Sequence, residues 1–220
     1  MAVIKPLKIV LSNYPQNKVE DIECPDFPMH ADSKMHAVKF SKVVYIDADD
    51  FQSGQIKNKK FYGLTEGKTV RLKYAYNITC KKVVYKADST EIDHLECVYD
   101  ADHTVNVKKG HLTWVSSPVP AEFRLYDHLF TEEKPEGGEW LSQLNADSEL
   151  IYQGFIDEYV ARSVDEKGGR FQFERLGYFV KDVDSEKCGY PVFNRTVTLT
   201  EGAKKAIKKG NQPQKAKKKN

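Results

Sequence analysis

The chain has 220 residues, 40% of them apolar and 11% aromatic, enough for one large or two small hydrophobic cores without disulfide or metal staples. Its cysteines, Cys24, Cys80, Cys97 and Cys188, lie far apart with no Cys-x-x-Cys spacing, which argues against a zinc ribbon or dithiol motif and predicts reduced, structural thiols. The net charge of +2 hides an acidic body: Lys204, Lys205, Lys208, Lys209, Lys215, Lys217, Lys218 and Lys219 follow the last acidic residue, Glu201, and without them 26 basic residues face 32 acidic ones, a balance of −6.

In chain order, the apolar pattern favours strands. Residues 8–11 begin the series, and 38–46 reads as one longer strand. The turn Glu66-Gly67-Lys68 precedes strands at 70–74, 79–85 and 95–99; the turn Asp100-Ala101-Asp102 precedes 112–115 and 122–126. Residues 132–138 read as a loop, and helix is confined to short pieces at 139–144 and 158–164. Strands at such short intervals predict closed or nearly closed antiparallel barrels. Residues 1–203 are taken as one combined domain. The tail, 204–220, lacks the apolar area to offset its ordering entropy and is expected to be disordered. No apolar run approaches the roughly 20 residues of a membrane span, and residues 1–6 lack a secretory apolar core, so a soluble, cytoplasmic protein without membrane contact is expected.

Two strand segments carry chemistry. In 171–175, side chains alternate faces, which puts Gln172 and Glu174 on one side and Phe171, Phe173 and Arg175 on the other. An amide and a carboxylate offer the donor and acceptor edges that a nucleobase needs, while the rings serve as core or as stacking platforms. Arg175 then points away from its neighbours and serves a backbone contact or structural ion pair, unless a bulge re-aims it. Arg71 and Lys73 share a face about 6 to 7 Å apart on the 70–74 strand, a spacing that suits successive phosphates or merely a solvated face.

Six blocks resemble the C-terminal anticodon-binding region of glutaminyl-tRNA synthetases. They are Ala2-Val3-Ile4-Lys5-Pro6-Leu7-Lys8-Ile9-Val10, Gly67-Lys68-Thr69-Val70-Arg71-Leu72-Lys73, His111-Leu112-Thr113-Trp114-Val115-Ser116, Arg124-Leu125-Tyr126-Asp127-His128-Leu129-Phe130, Phe171-Gln172-Phe173-Glu174-Arg175-Leu176-Gly177-Tyr178-Phe179 and Val192-Phe193-Asn194-Arg195-Thr196-Val197-Thr198-Leu199. The resemblance implies a mainly all-β fold: two antiparallel barrels of the ribosomal L25-like type, packed end to end with strands exchanged. It implies that Gln172, Glu174 and Arg175 read the middle uridine of the glutamine anticodon and that Arg71 and Lys73 clamp the loop at its first base. Where bacterial members have Lys-Arg-Leu, this chain has Tyr62-Gly63-Leu64; Tyr62 could stack on the third base, and Lys57, Lys59 and Lys60 could restore charge nearby. The chain starts inside the homologous region, so an arginine that the family uses just upstream is not expected.

The resemblance implies a monomer whose partners are the glutamine tRNA anticodon stem-loop and the catalytic domain of the same enzyme. That Rossmann-type domain, marked by His-Ile-Gly-His and Met-Ser-Lys elements, would hold the ATP and magnesium. Neither element is in this sequence; Ser33-Lys34-Met35-His36 has similar letters in another order, and the six histidines are scattered. No catalytic, cofactor or metal residue is therefore assigned in this chain. An excised domain of the ligase, a detached binder, an L25-like module for ribosomal RNA, and the anticodon domain of a glutamyl relative are the alternatives.

Overall fold

The computed structural model describes residues 1–54, 61–133, 140–165 and 168–199. Alternation builds the first barrel. Strand β1 (Ala2–Val3) is followed by β2 (Pro6–Leu11), which buries Leu7, Ile9 and Leu11 on one face. Next come β3 (Glu20–Pro25), β4 (Met35–Phe40), β5 (Val43–Asp47), β6 (Thr69–Leu72), β7 (Asn77–Tyr85), β8 (Ile92–Asp100) and β9 (His111–Leu112). The sheet order is β5-β2-β8-β7-β6-β9. Its edges nearly close through Tyr45 and Val115, which exchange backbone hydrogen bonds of 2.7 and 2.9 Å. Strands β3 and β4 form a separate hairpin. Trp114, Phe40, Leu72 and Leu95 are fully buried in this barrel's core.

The second sheet contains β10 (Val119–Tyr126), β11 (Glu149–Ile156), β12 (Arg170–Phe173), β13 (Gly177–Lys181) and β14 (Val192–Val197) in the order β1-β11-β10-β14-β13-β12. Phe123, Phe173, Phe179 and Phe193 interlock at its centre, with ring centroids 5.2 to 6.0 Å apart. Strand β1 crosses from the chain's beginning to pair with β11, so this barrel-like sheet is not contiguous in sequence. Helix α1 (Glu158–Ser163) starts where Asp157 accepts the Val160 N–H at 2.9 Å, and α2 (Ser185–Cys188) is a single turn.

Three details correct the sequence expectations. The sheets are not purely antiparallel, because β2–β8, β6–β9 and β10–β14 run parallel. The expected strand 38–46 is two strands in different sheets: Ser41 breaks the ladder by donating its N–H to Ser116 Oγ at 2.9 Å. In place of the helix at 139–144 stands a 3-10 turn, Trp140–Gln143, with Glu139 outside the described residues. Much of the 132–138 loop, Lys60 with its neighbours Lys57 and Lys59, and the lysine tail also lie outside them. Among the described residues, no helix is long and apolar enough to cross a membrane, and no three His, Cys, Asp or Glu residues are arranged to hold a metal.

Candidate nucleic-acid interface

Two turns meet at the seam between the barrels, each with a non-glycine residue in the left-handed region. Strand β6 ends at Leu72, so Lys73 lies in a turn with Tyr74 (φ 63°) rather than on the expected strand face with Arg71. Lys73 is nonetheless fixed: its N–H donates to Leu112 O, and its carbonyl accepts the Trp114 indole N–H, both at 2.9 Å. From the second barrel, β12 ends at Phe173. Glu174 and Arg175 (φ 68°) form the turn into β13, so Glu174 does not share a continuous strand face with Gln172. The apolar pattern runs through this turn because Phe171, Phe173 and Phe179 all face one core, which hides the reversal from periodicity.

The turns hold each other. Lys73 forms an ion pair with Glu174, and the Tyr74 hydroxyl lies 3.4 Å from Glu174 Oε1. Burial, followed by the nearby Glu174 charge, pushes the Tyr74 hydroxyl up to about 12. Arg175 leaves the other side of its turn and grips Asp50 of the first barrel with both guanidinium Nη atoms, Nη1 at 2.7 Å. Desolvation alone would lower its pKa, but the Asp50 carboxylate, with Asp47 behind it, raises it. Of the roles expected for Arg175, the structure shows the ion pair, made with Asp50.

A cavity of about 370 Å³ opens on the Lys73–Glu174 side. One wall carries Gln172 and Arg170 from β12; Gln172 is exposed and, among the described residues, has no hydrogen-bond partner. The opposite wall is the β3–β4 hairpin docked on α1. His36 stacks on Tyr159 with centroids 3.9 Å apart and planes at 7°, while the Tyr159 hydroxyl donates to Asp26 at 3.0 Å. The hairpin tip overhanging the cavity leaves Phe27 65% and Met29 94% exposed. Phe173 is buried and Phe171 packs beside it with parallel rings 5.6 Å apart, so both belong to the core.

Tyr62 and Arg71 lie elsewhere, at a corner of the first barrel. Tyr62 is 46% exposed, and Arg71 pairs in register with His111. Sequence inspection passed over Arg170, His36 and Tyr159, whose only common signal is spatial: three distant segments converge on one cavity.

The description "tRNA synthetases class I (E and Q), anti-codon binding domain" matches residues 1–100 and again residues 111–182. The chain belongs to this family. It is 43% identical over 214 residues to a probable glutamine–tRNA ligase of Dictyostelium discoideum, covering 94% of this chain and 26% of that protein. Similar matches are the glutamine–tRNA ligase of Nitrobacter hamburgensis, 41% identical over 90% of this chain and 36% of that protein, and the cytoplasmic glutamine–tRNA ligase of Arabidopsis thaliana, 38% identical over 90% and 26%. The chain thus spans between a quarter and two-fifths of the length of these relatives.

Proposed function

We propose that this anticodon-binding domain recognises the anticodon loop of glutamine tRNA, with the cavity at the barrel seam receiving an unstacked base. The observation that carries this is the Gln172 amide, unpaired among the described residues, on the cavity wall beside Arg170 and the Lys73–Glu174 pair. An amide can donate to and accept from a uracil edge, whereas the cations supply attraction that does not depend on sequence. Glu174 accepts from the base or holds Lys73 in place, and Arg175 supports the turn through Asp50. Arg71, Lys73 and Tyr62 complete the RNA contacts, with Lys60 alongside.

In the whole protein the domain works beside a catalytic part that activates glutamine with ATP and magnesium, in the cytoplasm and as a monomer. The similarity to glutamine–tRNA ligases over nearly the whole chain supports this over an L25-like module or a glutamate-specific relative. The test is a titration of the chain and its Gln172→Ala variant against anticodon stem-loops that differ only at the middle base. Gln172→Ala should cost about 1 to 3 kcal/mol for the uridine loop and little for the cytidine loop. Equal losses for both loops would reject Gln172 as a base reader.

A further inference from the structure

A second cavity, of about 240 Å³, opens at the seam on the Arg175–Asp50 side and shares no lining residue with the cavity beside Gln172. Both barrels build it, with Asp47 at the end of β5 on one side and Leu125 of β10, Tyr152 of β11 and Arg195 of β14 on the other. Phe193 and Arg195 are two apart on β14, so alternation turns both toward the core of the second barrel, and Arg195 is only 9% exposed. Its stem lies against Gly177, where φ is +139° and a Cβ would stand 2.6 Å from Val197 O and 3.1 Å from Arg195 Cδ. Only glycine there leaves the guanidinium this position.

That guanidinium lacks a counter-charge. Its Nη1 is buried with no hydrogen-bond partner, and among the described residues Arg195 forms no ion pair. Burial lowers its pKa, against opposing effects of Tyr152 and Asp127, yet arginine stays charged. The carboxylates that line the cavity are already engaged. Arg175 holds Asp50, Lys5 Nζ holds Asp49 at 3.0 Å, and Asp47 accepts the N–H groups of Ile4 and Lys5 at 3.1 and 3.3 Å. A charge taken out of water and left unpaired is costly, so the arrangement is complete only with an anion in the cavity. A carboxylate fits: one guanidinium makes two parallel bonds to it and balances its single charge. A phosphate dianion would bring more charge than one unpaired cation balances, beside three aspartates. Ile4, Leu125 and Leu176 add apolar surface, and the cavity falls below the roughly 300 to 1,000 Å³ of sites for drug-sized ligands.

We propose that this cavity is a binding site for a small free carboxylate with a short apolar stem. The carboxylate lies against the Arg195 guanidinium and the stem against Leu125 and Leu176. A backbone carrying an acidic side chain is a poorer occupant, because the walls leave Arg195 almost no open surface. With walls from both barrels, the bound molecule ties the seam together on the Arg175 side, and the site does not depend on RNA.

The test follows the Arg195 Nε–Hε signal of the full chain by NMR as sodium butyrate replaces chloride at constant ionic strength. The signal, identified by its loss in Arg195→Met, should shift saturably with a Kd on the order of 1 mM, the scale for so small a ligand. Acetate should bind more weakly, by about fourfold for each methylene lost, and butanol and inorganic phosphate should leave the signal in place. Butyrate should raise the urea midpoint of the unaltered chain but not that of Arg195→Met. In chloride alone, Arg195→Met should unfold at higher urea than the unaltered chain, since it removes an unpaired buried charge. An absent or non-saturating shift, an equal shift with butanol, or tighter binding of phosphate would overturn the site. A lower midpoint for Arg195→Met in chloride would show that the fold itself satisfies the guanidinium, and would overturn it too. A capped peptide with one glutamate that binds as tightly as butyrate would assign the pocket to a partner's side chain and overturn the free ligand.

Discussion

Lys73 and Glu174 form an ion pair across the seam, one side chain from each barrel, so the site exists only when the two barrels are docked. Glu174 and Arg175 are adjacent in sequence yet engage different partners on opposite sides of their turn. In RNA binding, Lys73→Ala and Glu174→Gln should show a coupling of about 0.5 to 1 kcal/mol in a double-mutant cycle, whereas Glu174→Gln and Arg175→Ala should add within about 0.5 kcal/mol. Glu174→Gln alone releases a cation and should steepen the salt dependence by about one unit of slope. An unchanged slope would show that Lys73 remains tied to the protein.

Arg175 holds a left-handed turn by gripping Asp50, which is only 8% exposed. Arg175→Ala leaves that carboxylate without its partner and should lower stability by about 1 to 3 kcal/mol. This is below the cost of breaking a fully buried pair, because the Arg175 side chain is 44% exposed. Arg175→Lys should recover only part of the loss, since an ammonium cannot make the forked contact. Urea unfolding midpoints measure both.

Arg71 carries no ion pair among the described residues, and its N–H is satisfied by Gly110 O. Arg71→Ala should therefore leave stability nearly unchanged while reducing the salt slope of RNA binding by about one, alike for cognate and unrelated loops. A loss of discrimination without a change of slope would make Arg71 a base reader instead of a phosphate contact.

Glu20 gathers the hydroxyls of Tyr14 and Tyr76 at 2.6 and 2.9 Å and the Lys18 ammonium at 2.8 Å. Desolvation alone would raise its pKa, but the Lys18, Tyr14 and Tyr76 hydrogen bonds hold it below the usual 4.5. A lowered carboxylate contributes stability that is present above its unfolded value and lost as pH falls through the folded one. The urea midpoint should drop below about pH 4.5. Glu20→Gln should be less stable at pH 7 and should show a shallower fall over that acidic range. Parallel curves for the two proteins would assign acid sensitivity to other carboxylates.

Strand chemistry was legible wherever alternation meets a core. Leu7, Ile9 and Leu11, Val44 and Ile46, and Leu95 and Cys97 mark their faces by period two, and those faces are buried. The residue types suited to a nucleobase and a phosphate were legible too, because amide, carboxylate and guanidinium chemistry belongs to the side chains themselves. Sequence could not show where the strands stop. The turn after Phe173 continues an apolar pattern, and the break at Ser41 rests on a hydroxyl 75 residues away.

Nor could it show who pairs with whom. Lys73 meets Glu174 at a separation of 101 positions, and Arg175 meets Asp50 at 125. The amino-acid sequence by itself determined the β character, the acidic body and the kinds of group available for RNA. The tertiary structure decided which cations are neutralised, which amide is free and which ring stays exposed, because those follow from distances that docking two barrels creates and no local pattern encodes.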